Sequence, residues 1–213
     1  MEETRAFENI TKWLPASFEV DGAYDTPIIL PVDDVPEVDR VVRFCDAKRE
    51  RLDDRTLVHF YTQDYQFERI WTHIDAYIPM MQRAGVMLSP DFSLFTDLPR
   101  AMQIYNHYRK HYIARYYQRN GVCVIPSIGW SDRESVAWCF GGEPEHAIVS
   151  VSSIGCMRHG EDVRKLFMYG YDAMLERLAP EAILFFGTVP DGARGNIIRM
   201  DNEWQNPNGK RRK

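Results

Sequence analysis

Two hydrophobic periods take turns along this chain. Short, nearly continuous runs of branched and aromatic residues give way to longer stretches in which apolar positions return every three or four residues. The first pattern marks a strand buried on both faces and the second an amphipathic helix. Runs at 27–32, 56–61, 86–89, 122–126, 147–152 and 182–187 predict six strands, as in Thr56-Leu57-Val58-His59-Phe60-Tyr61 and Ala182-Ile183-Leu184-Phe185-Phe186-Gly187. Helices are expected between them: one opened by Asp33-Asp34-Val35-Pro36 and running to about Glu50, then 67–84, 98–119, 132–140 and 161–178.

Strands that alternate with helices imply an α/β fold with a parallel sheet covered on its faces. Six repeated β-α units are expected. A partial or compact TIM-like barrel is preferred to an open doubly wound sheet, because no glycine-rich first turn marks a dinucleotide fold. Residues 1–25 read as an N-terminal arm with a short helix over 5–13. Residues 26–190 read as a single α/β catalytic or binding domain, and 191–213 as a loop and basic tail ending Lys210-Arg211-Arg212-Lys213.

Composition narrows the classes. The 213 residues are 45% hydrophobic and 27% charged, which is globular composition, and the net charge of -5 argues against a protein coated in base for duplex binding. Apolar runs fall short of the ~18 residues that a membrane span needs, and Met1-Glu2-Glu3-Thr4-Arg5 is not a leader sequence, so a soluble cytoplasmic protein without a membrane partner is expected. Four cysteines without CxxC spacing are expected as reduced thiols. Cys156 and His159 offer two ligands on one loop, short of a metal site, so no metal is assigned. There is no GxSxG and no GxxxxGK[ST]. Cofactor and oligomeric state stay unassigned.

In either closure the loops after the strands share a rim, and chemistry is expected there. The rim collects Asp33 and Asp34, read as helix caps, then Asp64, Ser89, Asp91, Ser93, Ser127, Gly129, Trp130, Ser152, Ser153 and Thr188. Asp91 and Asp64 are the catalytic candidates: Pro90 and Phe92 place Asp91 in a stiff, partly apolar setting where desolvation raises a carboxylate's pKa. Asp64 reads equally well as a cap. The stretch 98–131 holds no acidic residue but carries Arg100, Arg109, Lys110, Arg115 and Arg119 among tyrosines. Arg109 is expected either to pair with Asp91 or, with Asn106, to grip a phosphate or base edge. Ser93, Asn106, Arg109, Arg115, Trp130, Ser152 and Ser153 are the substrate-binding candidates, with a nucleotide or nucleic acid as partner.

Several of these motifs stand in a familiar order. Ser-Pro-Asp-Phe-Ser at 89–93, the helix with Asn106 and Arg109, Gly121 and Val-Ile-Pro at 124–126, Trp130 with Ser135, and Val-Ser-Ser-Ile-Gly-Cys at 151–156 resemble the domain of unknown function family four-four-one-seven. The resemblance spans about residues 55–190. It implies a bacterial, phage or mobile-element setting and carries no established activity. The residues themselves point to an enzyme of hydrolase or glycosyltransferase type acting on a nucleotide, nucleoside or nucleic-acid-linked sugar. The rival is a non-catalytic module that binds a nucleotide, nucleic acid or host protein; a structural or oligomerising factor is a third reading.

Overall fold

The computed structural model describes residues 18–32, 34–156 and 160–200. The helix expected over 5–13, Asp33, His159 and the basic tail lie outside the described residues. The chain enters through a small antiparallel pair, β1 (Val20–Asp21) and β2 (Thr26–Pro27). Seven strands then run parallel: β3 (Arg40–Arg43), β4 (Thr56–His59), β5 (Val86–Leu88), β6 (Val124–Ile125), β7 (Ile148–Ser152), β8 (Ala182–Phe186) and β9 (Ile197–Met200). They form a four-stranded sheet, β3-β4-β5-β6, and a three-stranded one, β7-β8-β9. The two are stitched where Ser127 bridges Ser150, with the Ser150 amide donating to Pro126 O and the Ile128 amide to Ser150 O, each at 2.8 Å. The protein is therefore α/β with parallel sheets, its strands neighbours in chain order.

Strand pleating sorts the side chains into three apolar clusters. Leu57, Val86, Leu88, Ile125, Ile148, Ala182, Leu184 and Phe186 form one, with Val41, Ile198 and Met200 packed against it, so every parallel strand contributes. Val42, Val58, Met87 and Val124 point the other way, onto Tyr112, Ile113 and Tyr117 of a long helix. Val149, Val151, Ile183 and Phe185 likewise meet Phe167, Tyr171, Met174 and Leu178 of a second helix. Among the described residues β3 and β9 do not pair; a groove lined by Val38, Val41, Leu184, Ile198 and Met200 separates them, and no closed barrel is formed.

The described residues hold four α-helices: α1 (Arg69–Thr72), α2 (Ile78–Met81), α3 (Arg100–Arg119) and α4 (Glu161–Leu178). The two long ones are where periodicity placed them. The regular six-unit repeat is not what the structure contains. The segment expected as a first parallel strand at 27–32 instead reaches across to Gly142 and Gln118. The helix expected up to Glu50 is replaced by β3, whose adjacent valines suit a strand better than a helix. The helix expected over 67–84 breaks into α1, a 3₁₀ turn and α2, because Pro79 has no amide to continue a ladder and α2 restarts around it. The helix expected over 132–140 is one 3₁₀ turn, Ser135–Ala137, held by Asp132 Oδ1 accepting from the Ser135 amide at 2.9 Å. Strand β9 lies in what the pattern presented as loop.

Candidate functional site

The loop that leaves β5 is clamped on three sides. The Ser127 amide donates to Ser89 Oγ at 2.8 Å, and Ser127 Oγ donates back to Ser89 O at 2.9 Å, locking the exits of β5 and β6 together. Two residues beyond Asp91, the Ser93 hydroxyl donates to Asp64 Oδ1 at 2.8 Å and its amide to Oδ2 at 3.1 Å. Asn106 Nδ2 completes the clamp by donating to Ser93 O at 2.7 Å. Asp64 is thus tied across to the neighbouring loop, and the N-cap position of the 3₁₀ turn Asp64–Gln66 is held by Gln63. Phe92 is buried on Phe67, with its other face under the Arg109 guanidinium at 3.6 Å.

Within this frame the Asp91 carboxylate is half-buried and makes no hydrogen bond or ion pair among the described residues. Burial pushes its pKa up to about 7; the Lys110 ammonium pulls against that shift and the Asp64 carboxylate adds to it. Burial, and then the charge of Asp91, also raise the pKa of Tyr61 after β4 and of Cys156 after β7. A Cβ added to Gly129, after β6, would stand 3.7 Å from Asp91 Oδ1. The exits of β4, β5, β6 and β7 therefore converge on one carboxylate that carries a proton near neutral pH. Such a group can donate or accept a proton in the same environment.

The other candidates are distributed differently. Arg109 does not pair with Asp91. Its Nη1 lies 2.5 Å from Glu68 Oε1, a carboxylate delivered by the turn before α1, so the guanidinium is neutralised beneath the loop. Arg115 lies over the Phe18 ring. Trp130 packs on Phe167, with its indole against the backbone of Gly170 in α4; a Cβ there would fall 2.3 Å from the ring. Ser153 Oγ donates to Thr188 O at 2.7 Å, and Ser152 Oγ accepts from the Ile154 amide at 3.1 Å. Ser153 thereby ties the exit of β7 to that of β8, while the Ser152 bond stays within the loop after β7.

A second polar cluster sits on the other side of Lys110 and was not singled out from the sequence. His107, Lys110 and His111 share one face of α3, and Glu143 meets them from the loop before β7; all four are buried. Lys110 Nζ donates to Ser127 O at 3.0 Å and makes a close contact with Glu143 Oε1. His107 Nε2 lies 3.0 Å from Gly141 O, His111 Nδ1 2.9 Å from Pro27 O, and His111 Nε2 3.0 Å from Glu143 Oε1. One potential ligand atom from each of His107, His111 and Glu143 falls within 4.8 Å of the others. Burial lowers the pKa of both imidazoles, while Lys110 and His111 overcome burial to hold Glu143 below the usual carboxylate range. The legible signal was the four-residue spacing of His107 and His111 on a predicted helix; nothing in the sequence announced Glu143 as their neighbour.

The family model described as "Domain of unknown function (DUF4417)" matches residues 18–202, which include both clusters. Two curated phage proteins are similar to the chain. The Gene 1 protein of Mycobacterium phage L5 is 32% identical over 176 residues, covering 83% of this chain and 76% of that protein. The Gene 1 protein of Mycobacterium phage D29 is 32% identical over 176 residues, covering 83% of this chain and 65% of that one. No solved structure matches the chain.

Proposed function

The chain belongs to the DUF4417 family, and from that premise we propose that it is an enzyme that cleaves or transfers a glycosidic bond of a nucleotide, nucleoside or nucleic-acid-linked sugar, with Asp91 as its proton donor and acceptor. The observation that carries this reading is the Asp91 carboxyl itself. It is poised near pH 7, has no partner among the described residues, and stands at the exits of parallel strands, where α/β enzymes collect their reacting groups.

In the reaction the bond from the anomeric carbon to the leaving atom breaks as Asp91 gives that atom its proton. The oxygen of a water or acceptor hydroxyl bonds to the same carbon and passes its proton to Asp64, the second carboxylate of the pair. Ser93 holds Asp64 in place through two donors, so a base on that side is positioned before substrate arrives. The in-order parallel strands and the cluster fed by all of them support a partial barrel-like arrangement around this site, open between β3 and β9. Trp130, Ser152 and Ser153 shape the rim from the next strand exits.

A non-catalytic nucleic-acid or protein module is the second reading, favoured by Met102 and Tyr105, which expose large apolar surface along α3. Base release and sugar transfer from a panel of nucleosides, nucleotides and single-stranded nucleic acid separate the two. The wild type should turn over at least one class, and Asp91→Asn should lower that rate by roughly 10²- to 10⁴-fold. Equal rates in wild type and Asp91→Asn would sink the proposal. Salt-sensitive strand binding without turnover, weakened by Arg115→Ala, would establish the module instead.

A further inference from the structure

We infer that His107, His111 and Glu143 form a binding site for a divalent transition-metal ion, with zinc the best chemical fit, that fastens the loop before β7 to α3.

The hydrogen bonds decide where each lone pair points. Carbonyl oxygens only accept, so the Nε2 of His107 must carry the hydrogen it gives to Gly141 O, and the Nδ1 of His111 the hydrogen it gives to Pro27 O. The remaining nitrogens, Nδ1 of His107 and Nε2 of His111, are then unprotonated in neutral rings. His107 Nδ1 is buried with no partner among the described residues, and Glu143 Oε2 is another such atom. His111 Nε2 faces Glu143 Oε1 at 3.0 Å, acceptor against acceptor. Buried acceptors left without donors are costly, and His107 Nδ1, His111 Nε2 and Glu143 Oε2 are three such atoms on residues whose potential ligand atoms lie within 4.8 Å of one another.

Two imidazoles four residues apart on a helix, with a carboxylate from elsewhere, are a frequent transition-metal donor set. A backbone carbonyl on the second nitrogen of each ring is the usual way a protein fixes the tautomer of a metal-binding histidine. Two nitrogens and one oxygen favour zinc over magnesium or calcium, which prefer oxygen throughout. Lys110 occupies the Oε1 side of Glu143 and leaves Oε2 for the ion. The exposures of His107 (3%), His111 (0%) and Glu143 (7%) close the site to substrate. The loop it fastens also holds the entry hairpin, since the Gly142 amide donates to Asp21 and the Ile29 amide to Gly142 O.

The rival account is a proton in place of the ion, making His111 an imidazolium between Glu143 and Pro27. Elemental analysis of untagged protein, refolded with a slight excess of Zn²⁺ and passed through gel filtration, distinguishes them. The expected content is about one zinc per chain, with Co²⁺ substitution giving visible bands of nitrogen and oxygen ligation and EDTA lowering Tm. His107→Gln should cut the bound metal at least tenfold, while the exposed His73→Gln leaves it unchanged. No retained metal together with no effect of EDTA on Tm would overturn the assignment. So would full metal content in His107→Gln, or a near-ultraviolet thiolate band in the cobalt form, which would place the ion on cysteine. Should His107→Gln fail to fold, wild-type stoichiometry and the cobalt spectrum still decide the matter.

Discussion

Asp91 and Glu143 are both acids drawn in from bulk water on either side of Lys110, yet their ionisation goes opposite ways. Glu143 stays charged because the Lys110 ammonium meets it directly. Asp91 feels Lys110 only at a distance, has Asp64 close enough to repel it, and holds its proton up to about pH 7. Burial is common to both, so what separates them is whether an opposite charge touches the carboxylate. One acid belongs to the framework, and the other is left available for proton transfer.

The harshest way to break this comparison is Lys110→Ala. It strips a buried carboxylate of its cation and should cost about 3–5 kcal/mol, read as a large drop in the denaturation midpoint. The same change removes the pull on Asp91, whose pKa should climb further in a carboxyl NMR titration of any folded fraction. Arg109→Ala tests the neighbouring cation. Its partner Glu68 is 42% exposed at the side chain and can rehydrate, so the loss should be about 1–2 kcal/mol, much of it from the Phe92 stack. A cost equal to that of Lys110→Ala would dissolve the distinction between the two sites.

Asp91→Asn should act with the opposite sign. A carboxyl whose folded pKa stands near 7, above the ordinary 3.8, binds more protons folded than unfolded across that window, so its contribution to stability falls as pH rises from about 4 to about 7. Replacing it should therefore stabilise the protein by about 1–2 kcal/mol at pH 8 and leave it unchanged near pH 3, measured by thermal melts at both values. Ser93→Ala is the mildest test. Deleting the hydroxyl that serves Asp64 should cost about 0.5–1.5 kcal/mol in chemical denaturation.

Segments whose own residues settle their state were legible from the sequence. The periodic stretches that became α3 and α4, and the branched runs that became β4, β5, β7 and β8, needed no outside information. Strands β3 and β9 were missed because each is a short apolar pair beside arginine or asparagine, and only a parallel neighbour makes a strand of it. The helix expected before Glu50 fails for a related reason: the capping signal at Asp34 and Pro36 is local, and Val41 and Val42 pack as a strand against β4. At the site, Asp64 and Asp91 were visible because strand exits can be read in order. The partner of Arg109 was not, since Glu68 reaches it from a turn 41 residues earlier in the chain. Glu143 was hidden in the same way from the helix it meets.

Gly170 brings a different lesson. In the middle of a helix a glycine normally weakens the element by about 1 kcal/mol, but here its bare backbone makes a seat for the Trp130 ring, one residue from the Gly129 that faces Asp91. Any side chain at 170 would evict the indole, and the turn at Gly129 beside Asp91 would shift with it. The loop beside Asp91 is thus levelled from behind, by a position on α4 that never touches the carboxylate.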